Sequence, residues 1–186
     1  MKIQIFLKLF KANNKAPLYN IFLNNNKYEP VDNNVHSVVE LDIDNEKLLE
    51  NNILVIEHYG KTDLDTRLDG NTIVEDLAIE LEKIIINDIE FDQLMLYLNP
   101  FYPVYSQGFY KYAEENNLTI DDRLKTLYFG FNGKYYFQFK KEYRSDYYEK
   151  LLKLEENISK ENNSDIIADE PINHNSFEIL KKEVFD

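Results

Sequence analysis

Apolar residues occupy alternate positions in separate stretches of this chain. In the first of them, KIQIFLKLFK, the side chains of Ile3, Ile5 and Leu7 alternate with other residues, several of them polar. Successive side chains of a β-strand point to opposite faces, so this spacing predicts a strand with one face in a core and the other toward solvent. A helix would instead repeat its apolar residues every three to four positions.

Three further segments of the first half also have the composition of strands. With the first stretch, the predicted strands are residues 2–11, 18–24, 36–44 and 52–60. Clusters rich in Asn and Asp separate them, and these residues favour turns because their side chains hydrogen-bond the nearby backbone. Short strands at fairly regular spacing, divided by such turn signals, are typical of an antiparallel sandwich.

Residues 76–91, DLAIELEKIIINDIEF, allow two interpretations. Glu, Leu and Lys favour a helix over the first part of this segment. However, Ile79 and Leu81 alternate with glutamates, and the three consecutive isoleucines are β-branched, which favours strands. We therefore predict a pair of strands joined by a two-residue hairpin turn at Asn87 and Asp88.

The next segment, residues 99–123, is expected to be irregular because prolines interrupt it. Within it, Ser106 is expected to cap a short helix that reaches about Glu115. Residues 126–140, TLYFGFNGKYYFQFK, contain two aromatic runs around Asn132-Gly133. Asn-Gly between alternating runs predicts a hairpin with a type I′ turn.

These patterns together predict a mainly β fold for residues 1–159, an antiparallel β-sandwich or jelly roll with one or two peripheral helices. The C-terminal helix of this domain is expected at about residues 145–159, capped by Ser145. Residues 160–186 are polar and interrupted by proline, which predicts an extended C-terminal arm. Apolar residues such as Phe177 give this arm a means of docking on a neighbour.

Charge and composition argue against several classes of protein. The net charge is −13, and such a surface repels nucleic-acid phosphates, so we expect no nucleic-acid partner. No run of about 18 apolar residues is present, so we expect no membrane-spanning helix. The chain has no cysteine, which excludes disulfides and thiolate metal sites.

No catalytic motif is evident. The chain contains no Gly-x-Ser-x-Gly, no phosphate-binding loop and no His-Glu-x-x-His. His58, with Lys61 and Asp63 close by in sequence, is the most suggestive group, but a histidine on a strand face is more often a packed, hydrogen-bonded residue. We therefore expect a protein that is not an enzyme and that binds no cofactor, with Ca²⁺ as the one candidate ion.

The candidate Ca²⁺ site lies in HYGKTDLDTRLDGN, residues 58–71, and just after it. Asp63, Asp65, Asp69 and Asp76 would supply carboxylate oxygens, the ligands that Ca²⁺ prefers. Their spacing does not match an EF-hand loop. The favoured interpretation is a solvated loop that ends one strand and leads to the next, with its charges in water.

Aromatic residues form a second candidate site. The chain has 14 tyrosines and 12 phenylalanines but no tryptophan, and aromatics crowd residues 97–112. Tyr97, Tyr102, Tyr105 and Tyr110 are candidates for stacking against sugar rings. Packing in a core or a protein interface is the favoured alternative, because tyrosine is common in both.

Part of the sequence resembles a known family. The segment ILVIEHYGKTDLDT, the short Asp/Gly loop after it and the segment AIELEKIIINDIEF together span residues 53–91. They resemble carbohydrate-binding-module-like β-sandwich domains of bacteriophage structural proteins, and the pieces at residues 102–105 and 130–133 fit the same pattern. The chain departs from it at Asn87-Asp88, where a glycine is expected. The resemblance implies a jelly-roll fold and a place in a virion, and it implies no catalytic residue.

The sequence and the resemblance lead to two hypotheses of function. The first is a non-enzymatic structural component of a bacteriophage virion, in the tail, neck, fibre or head surface, that mediates assembly or surface attachment. Its partners would be other virion proteins in a homo- or hetero-oligomer, assembled in the host cytoplasm. The alternative is a carbohydrate-binding module, with or without Ca²⁺, that recognises glycans of the host surface.

Overall fold

The protein is an antiparallel β-sandwich. The structure is a computed structural model that describes residues 1–28, 35–70 and 72–141. Within these residues the chain forms two five-stranded antiparallel sheets, a separate two-stranded hairpin and two short α-helices, which confirms the predicted fold class. The predicted helix at 145–159 and the predicted arm at 160–186 lie outside the described residues.

Sheet I consists of β1 (Lys2–Phe10), β4 (His36–Asp42), β8 (Ala78–Ile86), β9 (Ile89–Phe91) and β11 (Tyr128–Phe129). Strand β1 lies between β4 and β8, and both β9 and β11 pair with β8. Sheet II consists of β2 (Leu18–Leu23), β3 (Asn26–Tyr28), β5 (Asn51–Tyr59), β10 (Phe101–Val104) and β12 (Asn132–Lys140). Its strand order is β10-β12-β5-β2-β3. The remaining elements are the hairpin β6 (Thr66–Asp69) and β7 (Thr72–Asp76), two 3₁₀ turns (Asn45–Lys47 and Asp63–Asp65), and the helices α1 (Gln93–Tyr97) and α2 (Gln107–Glu115).

Alternate residues of the long strands form the core. The inward positions are almost all apolar, and they include Ile3, Ile5, Leu7, Ile21, Leu54, Ile56, Ile79, Leu81, Tyr135 and Phe137. Where the period of two is broken, the structure contains a bulge: the pairing of β8 with β1 shifts between Phe6 and Leu7. The shift lets Glu82 and Lys83 both stay out of the core while the inward side of β8 remains apolar.

The predicted turn at Asn87-Asp88 is confirmed. Both residues have positive φ, 46° and 66°, as a type I′ turn requires, and they join β8 to β9. The strand interpretation of residues 76–91 was therefore the right one. The helix after Ser106 is also confirmed, since the Ser106 side chain accepts a hydrogen bond from the backbone N–H of Phe109 and α2 ends at Glu115.

The predicted hairpin at Asn132-Gly133 is wrong. These residues begin β12, where Gly133 pairs with Pro103 of β10 and His58 of β5, while β11 pairs with β8 in the other sheet. The two aromatic runs therefore lie in different sheets. The Asn132 side chain instead holds the start of β12 against the segment after β5. It accepts a hydrogen bond from Lys61 N and donates one to Lys61 O.

Sequence patterns also missed some elements. Residues 101–104, expected to be irregular, form β10; its Pro103 is tolerated because β10 is an edge strand. Helix α1, whose N-cap is Asp92, was not predicted either. The segment expected to be a plain loop contains the hairpin of β6 and β7.

Gly133 provides a test of this arrangement. Its φ is +154°, and a Cβ there would lie 2.3 Å from the backbone oxygen of Tyr102. We predict that Gly133→Ala lowers the free energy of unfolding by at least about 2 kcal/mol, measured by urea denaturation. The control is Gly70→Ala, where φ is +60° but the space is open, and the expected loss is about 1 kcal/mol. Equal losses in the two variants would contradict the close approach of β10 to β12.

Candidate functional site

The segment HYGKTDLDTRLDGN contains buried charges. It ends β5, makes the 3₁₀ turn Asp63–Asp65 and begins the small hairpin. The prediction that its charges lie in water is wrong for Asp65, which is fully buried, and it also fails for Lys61, whose side chain is 10% exposed. Each of these charges has a partner of opposite charge, because an isolated charge in the interior would be strongly unfavourable.

Lys61 and Asp76 form a buried ion pair, with side chains 10% and 7% exposed. Lys61 Nζ donates to Asp76 Oδ1 and to the backbone oxygen of Gly130. Two hydroxyls also donate to the carboxylate: Thr66 Oγ1 to Oδ1 at 2.6 Å and Tyr128 Oη to Oδ2 at 2.9 Å. We call these four side chains the Lys61–Asp76 cluster. Burial and the charge of Asp76 raise the pKa of the Tyr128 hydroxyl, so it stays a donor.

Asp65 is a second buried carboxylate with its own partners. It accepts hydrogen bonds from the backbone N–H and the hydroxyl of Thr62, at 2.9 and 2.8 Å, in a capping box. Lys15 Nζ lies 3.1 Å from its other oxygen. Burial alone would raise the pKa of Asp65, but the Thr62 hydrogen bonds and the Lys15 ammonium outweigh it and lower the pKa to about 2.

His58 is packed at the inner face of β5, as predicted. Its Nδ1 is 2.9 Å from the backbone oxygen of Phe131, so Nδ1 carries the proton in the neutral ring. Within the described part of the chain, Nε2 is buried and has no hydrogen-bond partner. Burial lowers the pKa of His58, and it outweighs the contact with Phe131.

The four aspartates of the candidate Ca²⁺ site do not form one ligand set. Asp65 and Asp76 bind different lysines, Asp63 accepts a hydrogen bond from Ser106, and Asp69 is exposed in β6. Among residues 1–28, 35–70 and 72–141, no group of three or more His, Asp or Glu side chains is placed to hold a metal ion.

The structure brings two of the four candidate tyrosines, Tyr105 and Tyr110, into contact, while Tyr97 and Tyr102 have other surroundings. Tyr105 stacks on Phe109 with ring centroids 4.9 Å apart, and its hydroxyl donates to Asp121 O at 2.7 Å. Tyr110 contacts the edge of Tyr105, and Tyr97 is exposed on α1. Tyr102 is exposed on the outer face of sheet II, where it lines a groove.

This groove has a volume of about 420 Å³. Its lining includes Glu57, Tyr59, Tyr102, Val104, Lys134 and Tyr136. The rings of Tyr102 and Tyr136 are nearly perpendicular, with centroids 5.5 Å apart. Beside them Glu57 accepts a hydrogen bond from Asn20 at 2.8 Å and pairs with Lys134 at 3.3 Å. Sequence reasoning missed Glu57, Lys134 and Tyr136, although their outward positions in the period-two pattern of β5 and β12 could have indicated them.

The outer face of sheet I is covered by charge pairs. In the described strands these include Lys2–Glu40, Lys8–Glu80 and Lys83–Glu90, with separations of 3.0 to 3.6 Å. Its phenylalanines lie under lysines, since Lys8 Nζ is 4.9 Å from the centre of the Phe10 ring and Lys83 Nζ is 4.7 Å from that of Phe6. Such a surface is well suited to water.

The outer face of sheet II exposes more large apolar side chains than that of sheet I. Its exposed apolar side chains are Leu18, Ile53, Tyr59, Tyr102 and Val104. On this face Glu57 pairs with Lys134. A surface of this kind, rich in apolar and aromatic groups around a few polar ones, is typical of binding sites.

Comparisons with known proteins give no further guide to function. No family model, curated protein or solved structure matches this chain. Within the described residues, no helix has both the length and the apolar character needed to span a membrane.

The buried His58 predicts a specific pH dependence of stability. Its pKa is lowered in the folded state, so below the usual histidine pKa of about 6.5 the unfolded chain binds the proton more readily. The contribution of His58 to stability is therefore lost as pH falls from 7 to 5. We predict that urea unfolding over this range shows a smaller fall for His58→Asn than for the wild type. The control is His36→Asn, at an exposed histidine, which should retain the wild-type fall; identical profiles for all three proteins would contradict the prediction.

Proposed function

We propose that this protein is a non-enzymatic structural subunit of a bacteriophage virion, and that it attaches to neighbouring subunits through the outer face of sheet II. The observation that carries the proposal is the difference between the two outer faces. One is covered by charge pairs, while the other exposes Leu18, Ile53 and Val104. Burying such side chains against a partner removes apolar surface from water, at roughly 25 cal/mol per Å².

The size of this face suits a repeated contact. The nine residues of β5 span roughly 30 Å, and five strands extend across roughly 20 Å, so the face measures at most about 600 Å². A standard protein interface buries about 800 Å² on each partner. One such contact is therefore modest, and repeated copies in a particle would add their affinities through avidity.

The placement in a virion is supported by the resemblance of residues 53–91 to domains of bacteriophage structural proteins. The charge of the chain is compatible with it. A net charge of −13 disfavours contact with the packaged nucleic acid and favours partners with basic surfaces.

The first test is to purify virions of the phage that encodes this chain and to quantify the chain by mass spectrometry. The proposal predicts that the chain is present in fixed stoichiometry. A chain that is absent from virions, and with which no virion protein copurifies, would contradict the proposal.

A pair of matched variants then tests the surface. Ile53 on sheet II and Val38 on sheet I are both exposed β-branched apolar residues, with exposed fractions of 40% and 44%. Ile53→Lys should sharply reduce incorporation into particles because it places a charge within the apolar contact, whereas Val38→Lys should incorporate normally. The opposite pattern would move the contact to sheet I.

A carbohydrate-binding module is the second candidate. The groove favours it because it combines aromatic rings at Tyr102 and Tyr136 with polar groups at Glu57 and Lys134. Sugar rings stack on aromatic faces while their hydroxyls need hydrogen-bonding partners, and the groove offers both.

Glycan arrays followed by calorimetry test this candidate. If a glycan binds, Tyr136→Ala and Tyr102→Ala should weaken it about tenfold or more, since each removes a ring that the sugar contacts. Tyr97→Ala is the matched control, because Tyr97 is an exposed tyrosine on α1 that does not line the groove. Titrations with EDTA and with Ca²⁺ show whether the ion takes part. If no glycan on the array binds, or if Tyr97→Ala weakens binding as much as the groove variants do, this candidate is wrong.

A further inference from the structure

We propose that Lys61 and Asp76 become joined by an amide bond between Nζ of the lysine and Cγ of the aspartate, an intramolecular isopeptide cross-link. The inference does not depend on the proposed function. It rests on the placement of the two side chains and on the groups that surround the carboxylate.

The two side chains are in direct contact and shielded from water. Lys61 Nζ donates to Asp76 Oδ1, and the exposed fractions are 10% and 7%. Two groups held in direct contact have a very high effective concentration. A condensation that is unfavourable between free groups in water can therefore proceed between them. Exclusion of water also favours the amide product, because water is the other product of the reaction.

The second lysine–aspartate pair of the same region provides a comparison within the molecule. Lys15 and Asp65 lie 3.1 Å apart, but the Lys15 side chain is 59% exposed. Its ammonium is therefore solvated. We assign the cross-link to Lys61 and Asp76 alone.

Hydrogen-bond donors surround the carboxylate of Asp76 in a way that suits nucleophilic attack. Thr66 Oγ1 donates to Oδ1 at 2.6 Å, and Tyr128 Oη donates to Oδ2 at 2.9 Å. Donors on both oxygens withdraw charge from Cγ and stabilise the negative charge that develops on oxygen in the tetrahedral intermediate. The Phe131 ring, 6.0 Å from Nζ, contributes to the apolar surroundings.

The reaction balances without any co-reactant. One proton passes from the Lys61 ammonium to Oδ1 of Asp76, which gives a neutral amine and a neutral acid. The Nζ lone pair then forms a bond to Cγ, negative charge develops on Oδ2, to which Tyr128 Oη donates, and a second proton passes from Nζ to Oδ1. The Cγ–Oδ1 bond breaks, one water molecule leaves, and Oδ2 becomes the amide oxygen.

The cross-link would connect two parts of the sandwich. Lys61 follows β5 of sheet II, and Asp76 ends β7, two residues before β8 of sheet I begins. The bond would therefore hold the two sheets together at this end with a covalent link that heat and force do not reverse.

The test is the mass of the purified full-length wild-type chain, measured under denaturing conditions. The proposal predicts a mass lower than that of the sequence by one water molecule. Trypsin should then yield residues 48–67, uncut at Lys61, joined to residues 68–83. A chain with the full sequence mass that releases the free peptide 48–61 would overturn the proposal, and this result needs no variant.

Variants assign the site. Lys61→Arg and Asp76→Ala should each restore the full mass, whereas Lys15→Arg should retain the loss of water. Cyclisation of Asp69 before Gly70 also removes one water, so the peptide map must separate the two products. A loss confined to an unlinked peptide 68–83 would overturn the proposal, as would a linked pair of peptides 48–67 and 68–83 that persists in Asp76→Ala.

Discussion

The alternation of apolar and other residues along each strand is the constraint on which this structure depends. It assigns one side of every long strand to the core and leaves the other side as an outer face. The core sides of the two sheets are alike, since both are filled with Ile, Leu and aromatic residues. The outer sides are under no such requirement, and they differ: sheet I carries charge pairs, and sheet II carries exposed apolar and aromatic groups. The proposed attachment surface follows from this difference.

Near the end of β5, the interior contains charged side chains where the rest of the core contains apolar ones. Lysine and aspartate are buried there, and they are stable because each charge has a partner and further hydrogen bonds. The connection that follows β11 supplies two backbone oxygens to these contacts. Gly130 O accepts a hydrogen bond from Lys61 Nζ, and Phe131 O is hydrogen-bonded to His58 Nδ1. Segments far apart in sequence are thus fixed to one another by polar contacts, where apolar packing alone would leave the ends of the strands free to shift. This is the setting in which a covalent bond between Lys61 and Asp76 becomes chemically reasonable.

The sequence allowed the fold class to be predicted, because alternation and turn residues are local signals. Asn87-Asp88 was placed correctly since its two strands pair with each other. Asn132-Gly133 has an even stronger turn signature, yet it forms no turn. Asn132 is hydrogen-bonded to Lys61, and Gly133 leaves room for the backbone of Tyr102, so both residues are determined by contacts with segments distant in sequence. The burial of Asp65 and Asp76 could not be predicted for the same reason, because their partners Lys15 and Tyr128 are 50 and 52 residues away. The groove likewise combines outward residues of strands that are neighbours only in the folded sheet.

Hydroxyl-radical footprinting would test most directly whether the outer face of sheet II is the attachment surface. The oxidation rates of individual aromatic side chains are compared between the free chain and the chain bound in its particle or to its ligand. We expect Tyr102 and Tyr136 to lose reactivity on binding, while Phe6 and Tyr128 of sheet I keep theirs. Protection of Phe6 and Tyr128 with Tyr102 and Tyr136 unchanged would rule out sheet II as the attachment surface.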